Sequence, residues 1–185
     1  MTTVFIAGSM NIKHLDVKVK DRIGNIVALG FKVLVGDAEG ADTSIQQQLM
    51  ALGHENTTVY CSGGAPRNNV GAWPVQVVTT QHAPGTRAFF TAKDLAMAAA
   101  ADVGLMVWDA KSTGTLSNII ELLAQKKKSV VFVNKEKTFR TISGVEQLDG
   151  LASCMSEHAR RKADEKIGLM CRIEALKHEQ SELFA

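Results

Sequence analysis

The stretch from Ala101 to Val133 limits the possible folds more than any other part of the chain. Val103 to Trp108 is a short, nearly unbroken apolar run, the composition of a strand covered on both faces, and Ser129 to Val133 is a second such run. Between them Asp109 to Thr115 is polar, with Gly114 as its flexible point, and Leu116, Ile119, Ile120, Leu122 and Leu123 then recur at helical spacing. The pattern predicts strand, loop, helix, strand. Such a unit crosses over right-handed and leaves its loop at the carboxyl end of the strands, where open parallel sheets bind ligands. Backbone N–H groups of Gly114 to Leu116, at the positive end of the helix, suit a phosphate or carboxylate.

The rest of the chain repeats this alternation. Val4 to Ala7 reads as a buried strand, followed by Gly8-Ser9-Met10 and a helix reaching about Leu29 that Gly30 closes. Phe31 to Val35 is a second strand, and a glycine-bearing turn from Gly36 to Asp42 leads into a helix ending near Leu52. Thr57 to Cys61 is a third strand, Ser62 to Asn69 a loop, and Val75 to Thr79 a short strand; Pro84-Gly85-Thr86 introduces a helix from Arg87 to Ala100. Short apolar strands alternating with longer helices predict an α/β layered sandwich with a mainly parallel sheet. Asn134 to Asp149 reads as a linker and short helix. From about Ser156 to Leu183 there is no Pro, and no Gly apart from Gly168. Ala159, Ala163, Ile167, Met170, Ile173 and Leu176 form one stripe there, which predicts a long C-terminal amphipathic helix docked on its own domain or on a dimer mate. The expected organisation is a domain over 1–134 and a helical extension over 135–185.

Composition narrows the function classes. A chain of 185 residues with 45% hydrophobic content can bury a sizeable core. Lys and Arg total 21 against 19 acids, and a net charge of +2 argues against nucleic acid or an anionic membrane as a partner. Cys61, Cys154 and Cys171 have no metal-ligand spacing, and the five histidines have none either, so no metal is expected and the thiols are expected to be reduced and buried. No basic leader precedes Val4-Phe5-Ile6-Ala7 and no apolar run approaches the roughly 18 residues of a membrane span, so a cytoplasmic location is expected.

Gly8-Ser9, the Gly36-Asp37-x-x-Gly40-Ala41-Asp42 turn, Arg67-Asn68-Asn69, Lys93-Asp94, and Trp108-Asp109-x-Lys111-Ser112-x-Gly114-Thr115 with Asn118 together resemble the SLOG superfamily. The resemblance covers about Thr3 to Val133. It implies a Rossmann-like three-layer sandwich with a pocket for a nucleotide or ADP-ribose-like ligand, no further cofactor, and a homodimer or higher homo-oligomer. In the superfamily's phosphoribohydrolases, and in similar nucleoside deoxyribosyltransferases, a catalytic Glu follows four residues after the glycine that aligns with Gly114. Here that position is Asn118, and an amide cannot act as the carboxylate that attacks an anomeric carbon.

The candidate site residues follow from both readings. Gly8, Ser9, Gly36, Asp37, Gly40 and Asp42 belong to the two strand-end turns, and Asp42 also stabilises the first turn of its helix. Asp109 either meets ribose hydroxyls and acts as a base, or shapes the turn. Ser112 and Thr115 bind phosphate or cap the helix, and Lys111 neutralises phosphate or stays solvated. Arg67 with Asn68 forms a clamp for phosphate or base, or belongs to an ordinary surface loop; Arg87 is the other arginine placed to meet an anion. Trp108 and Trp73 pack in the core or stack on a base. The expected function is binding of a nucleotide-like small molecule, as sensor or enzyme. The alternative is N-glycosidic hydrolysis of a nucleoside monophosphate through Asp109, Glu39 or Glu121; a third reading, a noncatalytic DNA-handling protein like the Smf DNA-processing members of the superfamily, is disfavoured by the near-neutral charge.

Overall fold

A computed structural model describes residues 1–182. Its strands are β1 (Thr3–Gly8), β2 (Lys32–Gly36), β3 (Thr57–Ser62), β4 (Val75–Val78), β5 (Val103–Trp108), β6 (Lys128–Val133) and β7 (Thr138–Ile142). The helices are α1 (Val17–Ala28), α2 (Ala41–Ala51), α3 (Arg87–Ala100), α4 (Thr113–Ala124), α5 (Val145–Ala152), α6 (Glu157–Ile167) and α7 (Leu169–Glu182). The strands form one sheet in the order β4-β3-β2-β1-β5-β6-β7. All pairs are parallel except β6 with β7, which is antiparallel. This is the Rossmann-like α/β sandwich.

Two cores explain why the central strands read as unbroken apolar runs. On β5, Met106 and Trp108 point into one core, while Leu105 and Val107 point into the other. Helices α1 and α2 cover the second face through Ile23, Ile26, Ile45 and Leu49. Helices α3 to α7 cover the first through Met97, Leu116, Leu148, Ala159 and Ile173. A strand buried on both faces has no polar side, so its sequence carries no alternation.

Several boundaries differ from expectation. Helix α1 starts only at Val17, because Asp16 takes an extended backbone and its side chain accepts from the Lys18 N–H at 3.0 Å, an N-cap that leaves 9–16 as loop. The segment 134–149, expected as linker and short helix, contains β7 as well as the start of α5. Strand β7 shows weak alternation because it lies at the sheet edge, half-covered. The C-terminal helical stretch is present but divided: Gly168 sits at φ +61° and ends α6, and α7 starts as a separate helix at Leu169. Leu183, its expected end, lies outside the described residues. Cys61 and Cys154 are buried as expected, whereas Cys171 is exposed on α7. No helix among the described residues is long and apolar enough to cross a membrane.

Two glycines allow the ends of β1 and α2 to meet. A Cβ on Gly8 would lie 2.6 Å from Ala41 Cβ and 2.8 Å from Val107 O, and one on Gly40 would lie 2.0 Å from Met10 O, at a φ of +79°. Gly53 has a similar φ of +64° but nothing within 4 Å. Gly40→Ala therefore costs backbone strain and a steric clash, at least about 3 kcal/mol, while Gly53→Ala costs only the strain, about 1 kcal/mol. In thermal unfolding the first should lower Tm by about 6–12 °C and the second by about 2–4 °C. Equal shifts would show that the Met10 contact gives way.

Candidate functional site at the carboxyl edge of the sheet

From β1 the chain moves outward through β2, β3 and β4, and then returns to place β5 on the other side of β1. The loops after β1 and β5 consequently diverge, and a crevice opens between them. An open cleft of about 650 Å³ occupies that position. Its lining includes Gly8, Met10 and Asn11 after β1, Asp42 of α2, Arg67, and Phe90, Lys93 and Asp94 of α3. The loop after β5 and the start of α4 add Lys111, Ser112, Thr113, Gly114, Thr115 and Asn118, and α6 adds Lys162 and Lys166.

The loop after β5 is held by one carboxylate. Asp109 Oδ1 accepts from Ser9 Oγ at 3.1 Å, Lys111 N–H at 2.9 Å and Ser112 N–H at 2.7 Å, and Oδ2 accepts from Asn11 Nδ2 at 3.3 Å. The Asp109 N–H donates in turn to Ser9 Oγ at 3.1 Å. Ala110, at φ +62°, completes the tight turn. Ser112 then caps α4 by accepting from the Thr115 N–H at 3.4 Å, and Trp108 Nε1 donates to Ser112 O at 3.0 Å. Asp109 is thus a turn-former, with Oδ1 taken by three donors and Oδ2 by one, and Trp108 and Trp73 are both core residues. Trp73 Nε1 donates to His54 O at 2.8 Å.

Beneath the other wall lies a cluster of buried charges. Arg67 clamps Asp37 with Nη2 to Oδ1 at 2.8 Å and Nε to Oδ2 at 3.1 Å, its own N–H adds a third bond at 3.0 Å, and its guanidinium carbon stacks 4.5 Å from the Phe90 ring centroid. Burial alone would raise the Asp37 carboxyl, but the Arg67 hydrogen bonds and the nearby Lys93 hold it below the usual range. Lys93 Nζ lies 2.8 Å from Asp94 Oδ1 and 3.9 Å from Asp37 Oδ1. Asp42 Oδ2 accepts from the Ala38 N–H at 3.3 Å, but Oδ1 has no partner, and burial pushes this carboxyl up to about 6. Gly36 makes room for the cluster, since a Cβ there would lie 2.4 Å from Asp42 Oδ2 and 2.7 Å from Lys93 Nζ.

Of the expected ligand residues, Gly8, Asp42, Arg67, Lys111, Ser112, Gly114, Thr115 and Asn118 line the cleft. Asn118 is 7% exposed, and its side chain makes no hydrogen bond within the described residues. Ser9, Gly36, Asp37, Gly40 and Asn68 shape it from behind, with Asn68 Nδ2 donating to Asp37 O at 3.2 Å. Arg87 stands outside the lining and donates to Thr113 Oγ1 at 3.1 Å. The two other carboxylates considered for catalysis stand apart: Glu39 is exposed and off the cleft, and Glu121 accepts from Gln125 at 2.8 Å and faces Arg172 at 3.6 Å. Lys162 and Lys166 were missed. Their only signal is a spacing of four, which puts them on one helical face; the packing of α6 on α4 brings that face to the cleft.

No family model matches the sequence, and no curated protein matches it closely. The fold is similar to that of DNA processing protein A from Helicobacter pylori, a structure reported for its unique single-stranded DNA binding mode. The TM-score is 0.54 at 21% sequence identity, over 70% of this chain and 64% of that one. The chain therefore spans under two thirds of that protein's length. This neighbour corrects two expectations. Its reported ligand is single-stranded DNA, against the free nucleotide, ADP-ribose-like ligand or N-glycosidic substrate expected from the sequence. It also overturns the argument from net charge, because +2 is an average over the whole surface and says nothing of where the lysines gather.

Two predictions follow from this geometry. Asp109→Ala leaves the Lys111 and Ser112 N–H groups without their acceptor and should cost about 1–3 kcal/mol, with faster hydrogen exchange at those two amides; Asp109→Asn keeps one acceptor oxygen and should retain most of the protection. Unchanged exchange in the alanine variant would show that the turn holds itself. For Asp42 the folded pKa, about 6, lies above the unfolded value of 3.8. The folded state then binds the proton more tightly, so stability falls as pH rises from about 4 to about 6 and is level above that. Asp42→Asn should lack this component, and parallel denaturant titrations of both proteins across that range would reveal it as a difference in slope.

Proposed function

We propose that the protein binds single-stranded nucleic acid along this cleft, with a backbone phosphate seated at the N-terminus of α4. The observation that carries the reading is the convergence of Lys111, Lys162 and Lys166 on that helix end. All three are exposed, and none has an acidic partner among the described residues. Thr113 and Gly114 present main-chain N–H groups there with no intrahelical acceptor, and the helix dipole adds positive potential. The half-buried Phe90, with Arg67 stacked on its ring, adds an aromatic edge to the cleft beside the phosphate track, a feature that single-strand sites use. The similarity to a protein reported to bind single-stranded DNA supports the same ligand class.

In this reading the chain is a SLOG-superfamily protein working in the cytoplasm. Support comes from the two strand-end glycine turns and the Ser112-x-Gly114-Thr115 helix start, all placed around one crevice. Residues 1–134 supply most of the cleft lining, and the following segment adds Lys162 and Lys166 through α6, packed on α4.

Fluorescence anisotropy with a labelled single strand tests the assignment. Lys162→Ala with Lys166→Ala should weaken binding about tenfold and lower the slope of log K against log salt by about 1.4, since each phosphate contact on a single strand contributes about 0.7. Gly114→Val should weaken it by a similar factor with unchanged circular dichroism. The nearest atom to an added Cβ is Ser112 Oγ at 4.0 Å, so the fold accepts the side chain while the anion loses its approach to the backbone. No saturable binding by the wild type, or binding indifferent to these changes, would refute the assignment.

A further inference from the structure

The charges under the cleft do not balance, and the imbalance falls on one residue. Asp37 is paired with Arg67 at 2.8 Å and Asp94 with Lys93 at 2.8 Å. Asp42 faces the same cluster without a cation of its own: no ion pair to it is formed among the described residues, and its single hydrogen bond is the Ala38 N–H on Oδ2. Only 5% of the residue is exposed, it lines the cleft, and Oδ1 accepts nothing. A carboxylate buried without a donor is costly, by several kcal/mol in general, so a ligand that brings a donor gains disproportionately there.

Resting on the reading of the cleft as a single-strand site, we propose that Asp42 is a specificity-determining residue that accepts a hydrogen bond from the exocyclic amino group of one base of the bound strand. Cytosine, adenine and guanine each carry such a group. Thymine and uracil do not: they offer one imide N–H flanked by two carbonyl oxygens, and those oxygens repel a carboxylate. The polar surroundings reinforce the choice. Lys93 and Arg67 keep their short contacts with Asp94 and Asp37, and Lys93 acts on Asp42 only through space without an ion pair; Asn118, also more than nine-tenths buried and with no side-chain hydrogen bond among the described residues, provides a second polar group on the same cleft. The elevated proton affinity of Asp42 fits this role. Above about pH 6 the carboxylate is ionised and accepts; below it the protonated group loses that preference.

The test compares binding of the full chain to an all-dT strand and to a strand of alternating dC and dT of the same length, by anisotropy. At about pH 7.5 the wild type should prefer the dC-containing strand by about tenfold, the scale of one hydrogen bond to a charged group. Asp42→Asn should bind the all-dT strand with similar affinity and show at most about twofold preference, because an amide presents a donor as well as an acceptor. If that variant fails to fold, the wild type alone decides: its preference should shrink when the pH is lowered to about 5, on the acid side of the Asp42 titration. Equal affinity for the two strands at neutral pH, or a preference that survives both the substitution and the drop in pH, overturns the assignment of Asp42. Failure to bind either strand overturns the reading of the cleft itself, and the Asp42 proposal with it.

Discussion

The side chains of Ser9 and Asp109 join the ends of β1 and β5, and the cleft depends on that junction. The two strands are neighbours in the sheet but lie about a hundred residues apart in the chain, and the connections leaving them run to opposite sides. Diverging loops at such a point would ordinarily be free to splay. Here one carboxylate gathers two main-chain N–H groups and a hydroxyl, fixing the turn that presents the first residues of α4. The N-terminus of α4 is therefore a preorganised set of donors, ready for an anion without rearrangement.

The opposite wall rests on different physics. Three carboxylates, one lysine and one arginine cluster there, and the missing side chain of Gly36 clears the space for Asp42 and Lys93. Two pairs are complete: Arg67 with Asp37 ties the loop after β3 to the turn after β2, and Lys93 with Asp94 lies within α3, which reaches Asp37 through Lys93 at 3.9 Å. The third carboxylate is left over. Such groups are expensive to bury, so a fold retains one only where neighbouring cations offset part of the cost or where something else completes it. Lys93 supplies part of that compensation, and Asp42 is among the residues that line the cleft.

The difference between global and local charge is the clearest lesson about function. A sum over the sequence gives +2, which by itself suggests indifference to polyanions. Yet many acids are tied up with neighbours, as in Glu136 with Arg140 and Asp149 with Lys177, while Lys111, Lys162 and Lys166 have no such partners and meet around one helix end. A phosphate chain responds to potential over a few ångströms, not to a total.

The sequence by itself determined the elements from β1 to β6 and the sheet class, but not β7 or the division of the C-terminal helix. The apolar runs of β1, β2, β5 and β6 are set by burial on both faces, and the extent of α3 and the start of α4 are set by the Thr86 and Ser112 caps. It also marked Gly8, Gly114 and Asn118 as parts of one site, because strand-to-helix turns in a parallel sheet must gather at one edge. Tertiary structure decided the rest. Whether Asp109 was a free base or a turn-former depended on Ser9, a partner distant in sequence, and whether Arg67 was a free clamp depended on Asp37. The wall formed by α6 had no local signature, since two lysines four apart on a charged helix read as an ordinary solvated face until α6 packs on α4. Local periodicity reports which side of an element is buried; it cannot report which distant element lies across from the exposed side, and that is where this cleft acquires its charge.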